Sequence, residues 1–577
     1  MASPFNVPDE FVQGFFKSGQ SLVQALAGTG GAAGPGASPN GVAPAAQLAK
    51  AQAHYWQQQT TLWMGMLTGA GAGAIANVNG REPVVTPERG DRRFSGEEWR
   101  ANPWYRALKE TYLLNAQLLD DMVDSAALDA KEKHKLRFYA RQFIDSMSPA
   151  NFPATNPQAL KLAIESNGES LRAGFANLRR DMQRGRIAIT DETAFEVGRN
   201  VAVSKGAVVF ENELFQLIQY APLTAQVATR PLVIVPPCIN KFYILDLQPE
   251  NSFVRFAAQH GQTVYLVSWR NADAEMGQTT WDDYVESGAI KAIEVALAIS
   301  GADKLNAVGW CVGGTILSSA LAVLRARGDK TVASLTLLTT MLDFSEPGDL
   351  GIFIDEQGVA QKEQTIGKGG VYAGKELGFV FQTLRANDLI WPYVVSNYLK
   401  GQAPAAFDLL YWNADSTNLP GPMYAWYLRN TYLENKLCVP NWLTVCETSV
   451  DLGRVDMPSY VLATQEDHIV PWRAAYRSTQ LVGGPTQFVL GASGHIAGVI
   501  NPASKNKRSY WIGGTQGADP EAWLKSAKEV PGSWWTHWMK WLKTHAGKAA
   551  AAPKRMGNAK HKPIEPAPGR YVKVRAD

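Results

Sequence analysis

The chain has 577 residues and a mass of 63.0 kDa, too long for one small domain and suited to two or three structural units. Apolar residues make up 46% and charged residues 19%, so a large core can form, while a net charge of +3 is too small to argue for nucleic-acid binding. Four cysteines, Cys238, Cys311, Cys438 and Cys446, form neither a disulfide framework nor a zinc pattern and point to a reducing, cytoplasmic compartment. The start, MASPFNVPDEFVQGFF, has no basic residue followed by an apolar core, so no secretory signal is expected. No apolar run reaches the roughly 18 residues of a membrane span.

Residues 28–47 are Gly/Ala/Pro-rich and read as a flexible linker; 77–94 is a second loose patch. From Trp104 to Ile144 apolar residues recur at steps of three and four, the period of a helix. Turn chemistry at 148–157 separates this from another amphipathic helix, ALKLAIESNGESLRAGFANLRRDM. Residues 1–190 are therefore expected to form a mainly helical domain, and 191–577 a second one.

In that second part the texture changes. NVAVSKGAVVFENELFQLIQY reads as two strands joined by a turn. PLVIVPP, TVYLVSW, LNAVGW, SLTLLTT and SYVLATQ are short continuous apolar runs, suited to strands buried on both faces. Helical stretches such as YVESGAIKAIEVALAIS separate several of them, which argues a doubly wound α/β sheet. Between residues 342 and 455 the alternation stops in a helical, aromatic insert. Placed after the strand that follows the Cys311 helix, it would sit above the carboxyl ends of the strands, as a cap over the site. SWWTHWMKWLK packs four Trp into one helical stretch, read as docking on the core, and the tail at 547–577 reads as extended.

The chemistry centres on Gly309-Trp310-Cys311-Val312-Gly313, a G-x-nucleophile-x-G turn with an apolar strand before it and a helix after it. The helix N-terminus favours a thiolate at Cys311. Such a nucleophile needs a base and an orienting acid, in the order nucleophile, acid, histidine. His468, His495, His537, His545 and His561 lie beyond Cys311. His495 sits in the Gly-rich loop after TQFVLG, the expected place for the base, and Asp467 ends the preceding strand as the acid. His468 adjoins Asp467 but, on an extended segment, points the other way and is expected to line the pocket. Glu466 is the rival acid. The oxyanion hole is expected from the backbone N–H of Val312 and one from the loop after PLVIVPP, at Ile239 or Cys238.

GWCVGG, PPCINKFYILDLQPENS, LRANDLIW, YWNADSTNLPGPMYAWYLRNTYLENKL, EDHIVPW and GASGHIAGVINP together resemble the class I polyhydroxyalkanoate synthases of bacteria, over roughly residues 95–540. The resemblance implies an α/β-hydrolase fold with a helical cap insertion, preceded by a mainly helical N-terminal domain. It implies the triad Cys311, Asp467 and His495, with no metal and no cofactor. CoA enters as part of the substrate. It implies polymerisation of (R)-3-hydroxyacyl-CoA, with (R)-3-hydroxybutyryl-CoA the expected monomer, by a homodimer on cytoplasmic polyester granules, with phasin-like proteins as possible partners. Arg385 of LRANDLIW either binds a CoA phosphate or pairs with an acid of the cap. A Cys-His-Asp thioesterase or lactone hydrolase on the same fold is the alternative. A granule-coating scaffold with a decayed site is the second.

Overall fold

A computed structural model describes residues 11–14, 16–20, 24, 42–69 and 82–576. The chain divides into two compact units, residues 1–191 with 379–405, and residues 192–378 with 406–577. Among the described residues, no helix is long and apolar enough to cross a membrane.

The first unit is helical: α1 (Val42–Gly69), α2 (Pro103–Ser125), α3 (Ala130–Ser146), α4 (Pro157–Glu165) and α5 (Glu169–Arg184). Residues 42–47, expected in the flexible linker, are the first turns of α1; residues 28–41 lie outside the described residues. The single periodic stretch from Trp104 to Ile144 is two helices, because the Asp129 side chain caps a new N-terminus by accepting from Glu132 N–H at 2.8 Å. The next stretch also divides, where Asn167 and Gly168 turn left-handed at φ 50° and 83°. Phe94, Trp99, Tyr112 and Ile144 form a core cluster of this unit, and Arg93 spans Asp91 and Asp145 at its rim. Residues 379–405 of the insert belong here: Gln142 donates to Thr383 O at 3.0 Å, and Tyr398 to Asp181 Oδ2 at 2.7 Å. The insert is thus divided between the two units.

The second unit is built on an 11-stranded sheet. Its strands are β1 (Gly206–Glu211), β2 (Phe215–Tyr220), β3 (Leu232–Val235), β4 (Val264–Trp269), β5 (Leu305–Trp310) and β6 (Val332–Leu338). They continue with β7 (Ser459–Thr464), β8 (Thr486–Gly491), β9 (Ser509–Ile512), β10 (Lys528–Pro531) and β11 (Glu565–Pro566). The order is β10-β9-β8-β7-β6-β5-β3-β4-β2-β1-β11. The central strands, from β8 through β7, β6, β5 and β3 to β4, run parallel, and the flanking pairs are antiparallel. Every residue of β3, β4, β5 and β7 is buried, which is why these strands read as unbroken apolar runs. The helices include α6 (Phe253–Gln259), α7 (Lys291–Ser300), α8 (Val312–Ala326), α9 (Trp472–Leu481) and α10 (Trp534–Lys543). This is the α/β-hydrolase arrangement, with the chain leaving the sheet after β6 and returning at β7.

The Trp-rich helix α10 is core. Trp534, Trp535 and Trp538 are at most 1% exposed and stack around Phe253. Each indole N–H finds an acceptor: Gly498 O, Val499 O and Thr336 Oγ1. Such a partner is what a buried tryptophan needs. The tail pairs Ala549–Ala551 with Gln226–Ala228 in a separate two-stranded sheet and β11 with β1.

Candidate active site

Parallel strands end their N–H and C=O rows at one edge, so the loops after β3, β5, β7 and β8 gather at the same rim of the sheet. Cys311 follows β5 directly and is the residue before α8. Its backbone is left-handed, at φ 51° and ψ −129°, a conformation that costs about 1–3 kcal/mol and persists only where its surroundings enforce it. Here the Cys311 N–H donates to Leu338 O of β6 at 3.0 Å, and its carbonyl accepts from Gly314 N–H at 2.9 Å. The glycines permit the close approach. A Cβ on Gly313 would collide with the backbone carbonyls of Val235 and Pro236, and one on Gly309 with the backbone of Gly314. The start of α8 therefore presses on the end of β3. Its first N–H groups, Val312 among them, have no acceptor inside the helix and favour negative charge beside them.

Asp467 and His495 meet across the ends of β7 and β8. His495 Nδ1 lies 2.7 Å from Asp467 Oδ2, and both side chains are buried. The turn after β7 folds around the carboxylate: Oδ1 accepts from the N–H groups of Ile469 at 2.9 Å and Val470 at 2.8 Å, and Thr464 Oγ1 reaches Oδ2 at 3.3 Å. A carboxylate held by that many donors stays fixed in one orientation. Burial opposes charge on the His495 ring. The Asp467 carboxylate outweighs it, and with the Cys311 sulfur alongside, the ring's pKa is pushed up to about 10. The arrangement is a cysteine, an imidazole and a carboxylate in series, suited to attack on an activated acyl group.

The other expected residues fall as follows. Glu466 is exposed, with its N–H spent on Ser493 O. His468 is half-buried in the turn that wraps Asp467, and the imidazole bonded to that carboxylate is His495. Ile239 lies in the loop after β3, and Cys238 there is buried, which pushes its thiol well above the ordinary range. The Asn240 N–H is taken by Thr417 Oγ1 at 2.9 Å, which leaves the amides at Cys238 and Ile239 as that loop's candidates for an oxyanion. Arg385 belongs to the first unit and pairs with Asp388, Nε to Oδ2 at 2.8 Å.

Two tyrosines of the insert join the site without having been expected there. Burial raises the pKa of Tyr432, and the nearby Cys311 raises it further; Tyr427 is raised by burial, Tyr432 and Cys311. Their rings meet edge to face at 5.6 Å, beside Phe344 and the stacked pair Trp281 and Trp426. Five residues apart, they share no face of an α-helix. Leu428–Leu433 winds instead as a π-helix, whose wider turn brings positions i and i+5 together. No period in the sequence announces that turn.

Comparison with known proteins gives two family matches. Residues 90–257 match the N-terminal region of poly-beta-hydroxybutyrate polymerase (PhaC), and residues 231–502 match the alpha/beta hydrolase fold. The chain is 56% identical over 540 residues to the poly(3-hydroxyalkanoate) polymerase subunit PhaC of Cupriavidus necator, covering 93% of this chain and 90% of that one. It is 44% identical over 498 residues to the corresponding subunit of Rhizobium etli, covering 85% and 78%. It is also 39% identical over 506 residues to poly(3-hydroxyalkanoate) polymerase 1 of Ectopseudomonas oleovorans, covering 87% and 89%.

Proposed function

This chain belongs to the poly(3-hydroxyalkanoate) polymerase family of acyl-transferring enzymes, and from that premise we propose that Cys311, His495 and Asp467 are its catalytic triad and (R)-3-hydroxybutyryl-CoA its substrate. The observation that carries the reading is the 2.7 Å bond from Asp467 to His495 Nδ1, which leaves the other ring nitrogen for Cys311 on its strained turn.

In this reading the proton of Cys311 rests on His495 Nε2, and the thiolate attacks the thioester carbonyl. The backbone N–H groups of Val312 and Ile239 hold the oxyanion. The bond from carbon to the CoA sulfur breaks, and the leaving thiolate takes the proton from His495. An acyl-Cys311 thioester remains. The 3-hydroxyl of another unit then gives its proton to His495 Nε2, and its oxygen attacks that thioester. A C–O bond forms, the C–S bond breaks, and Cys311 returns as a thiolate beside a protonated His495.

The thiol suits this sequence. Exchange of one thioester for another is nearly level in energy, so the acyl group is not trapped as an oxygen ester before elongation. Ester formation by the hydroxyl then runs downhill. The aromatic wall of Trp281, Phe344, Tyr427 and Tyr432 supports the reading, because an apolar surround disfavours water as the competing attacker. The scheme needs no cofactor. By resemblance the enzyme works as a homodimer on cytoplasmic polyester granules, where phasin-like proteins would be its neighbours.

The test is CoA release from (R)-3-hydroxybutyryl-CoA, with analysis of the acyl product. Polymer from the wild type and neither CoA nor polymer from Cys311→Ala is expected. Free hydroxy acid without polymer would make the chain a thioesterase. CoA release untouched by Cys311→Ala would remove the nucleophile.

A further inference from the structure

The loop after β3 is held from two sides, and one of them is the end of the chain. Thr417 of the insert grips it across Ile239: its hydroxyl donates to Cys238 O at 2.8 Å and accepts from Asn240 N–H at 2.9 Å. The next residue, Lys241, is 3% exposed and takes no part in the chemistry above. Its carbonyl accepts from the Trp412 indole at 2.6 Å, and its ammonium group donates to the backbone carbonyl of Val574 at 2.6 Å.

Val574 is anchored in turn. Val572 is 1% exposed within the main core, the Tyr571 hydroxyl donates to Asn212 O at 2.9 Å, and Asn271 reaches Arg575 O at 3.4 Å. Asn271 also accepts from Asn418 N–H at 2.8 Å, so the tail, the insert and the loop close on one another. A buried ammonium whose donors meet a fixed carbonyl holds its backbone in place; without that partner it must seek water or another acceptor.

We propose that Lys241 is a positioning residue for the acyl-transfer reaction, and that Tyr571–Arg575 is the strap through which it holds the Ile239 amide in register with Val312. The inference rests on the reading of Cys311 as nucleophile and of the two amides as the oxyanion hole. Charge on the tetrahedral intermediate is stabilised only by donors already in position, so a loosened loop slows acylation without weakening substrate binding. The thiolate and its imidazole are built on other loops and keep their reactivity.

The test uses the full chain carrying Lys241→Met, Lys241→Arg, Val572→Ala, and the Lys241→Met/Val572→Ala pair. Two readouts are taken: kcat and KM for CoA release from (R)-3-hydroxybutyryl-CoA, and the rate at which iodoacetamide alkylates Cys311, mapped by mass spectrometry. Alkylation requires the thiolate but no oxyanion hole. Lys241→Met is expected to lower kcat about 10- to 100-fold, with KM and alkylation within about twofold of wild type. Lys241→Arg, which keeps a donor for the Val574 carbonyl, should recover most of the loss. Val572→Ala should lower kcat as well and add little in the Lys241→Met background, since both act through one strap.

Alkylation falling in parallel with kcat, additive losses in the pair, or an unchanged kcat would each overturn the proposal. If Lys241→Met does not fold, Val572→Ala and Lys241→Arg decide it by the same two readouts. Cys311→Ala separates the two levels. If it still releases CoA, the nucleophile reading fails; if it is silent while Lys241→Met is normal, only the strap fails.

Discussion

At the scale of single residues, the site depends on one carboxylate held by four donors. Asp467→Asn keeps the shape but offers His495 Nδ1 a neutral partner that does not stabilise the charged ring. CoA release should fall by about three to four orders of magnitude, the loss expected when an orienting acid is neutralised, while the chain stays folded by circular dichroism. The same pair predicts a pH dependence of stability. His495 has a folded pKa pushed up to about 10, above its ordinary 6.5. The protonated ring therefore contributes stability that is fully present below pH 6.5 and is lost as pH rises toward 10. The melting temperature of wild type should drop between pH 7 and pH 10, and that drop should be smaller in His495→Gln. Equal slopes in the two proteins would mean that His495 carries no such charge.

At the scale of elements, Cys311, the proposed nucleophile, is presented by a collision narrowly avoided between a helix and a strand. The N-terminus of α8 reaches the end of β3 because Gly313 has no side chain. Gly313→Ala would drive a methyl group into the carbonyls of Val235, the buried last residue of β3, and of Pro236 just after it. We expect a loss of about 1–3 kcal/mol in stability and a fall in CoA release of more than tenfold, measured by chemical denaturation and by turnover. Element-scale features were the ones the sequence showed least well. The breaks between α2 and α3 and between α4 and α5 lie inside continuous apolar periods, where one capping aspartate or one left-handed glycine starts a new helix. The pairing of Tyr427 with Tyr432 needs a π-turn, which the α-helical period conceals.

At the scale of the whole molecule, the catalytic sheet is long and must finish its edges. On one side β10 ends the sheet with Lys528 and Pro531, residues that resist further pairing. On the other, β11 from the tail pairs Glu565 and Pro566 with Val208 and Ala207 of β1, and Arg570 ties it down through Glu211 and Glu565. A chain ending at residue 563 would leave that edge of β1 open beside buried Ala207 and Val208. It should aggregate at concentrations where the full chain does not, as read by light scattering; equal scattering would show that the edge needs no cover.

What the sequence determined by itself was the framework around the candidate site. Strands buried on both faces must be apolar throughout, a strand-turn-helix with Gly309 and Gly313 admits one backbone path, and the residues at the carboxyl ends of parallel strands converge wherever the sheet is parallel. The places of Cys311, Asp467 and His495 at those strand ends were legible for that reason, and the Asp467–His495 bond is present in the structure. The tertiary structure alone decided which unit each part of the insert joins and that Lys241 is tied to Val574 of the tail. Those outcomes are contacts between segments far apart in sequence. Their energies depend on which surfaces meet, and no local pattern of residues encodes that meeting.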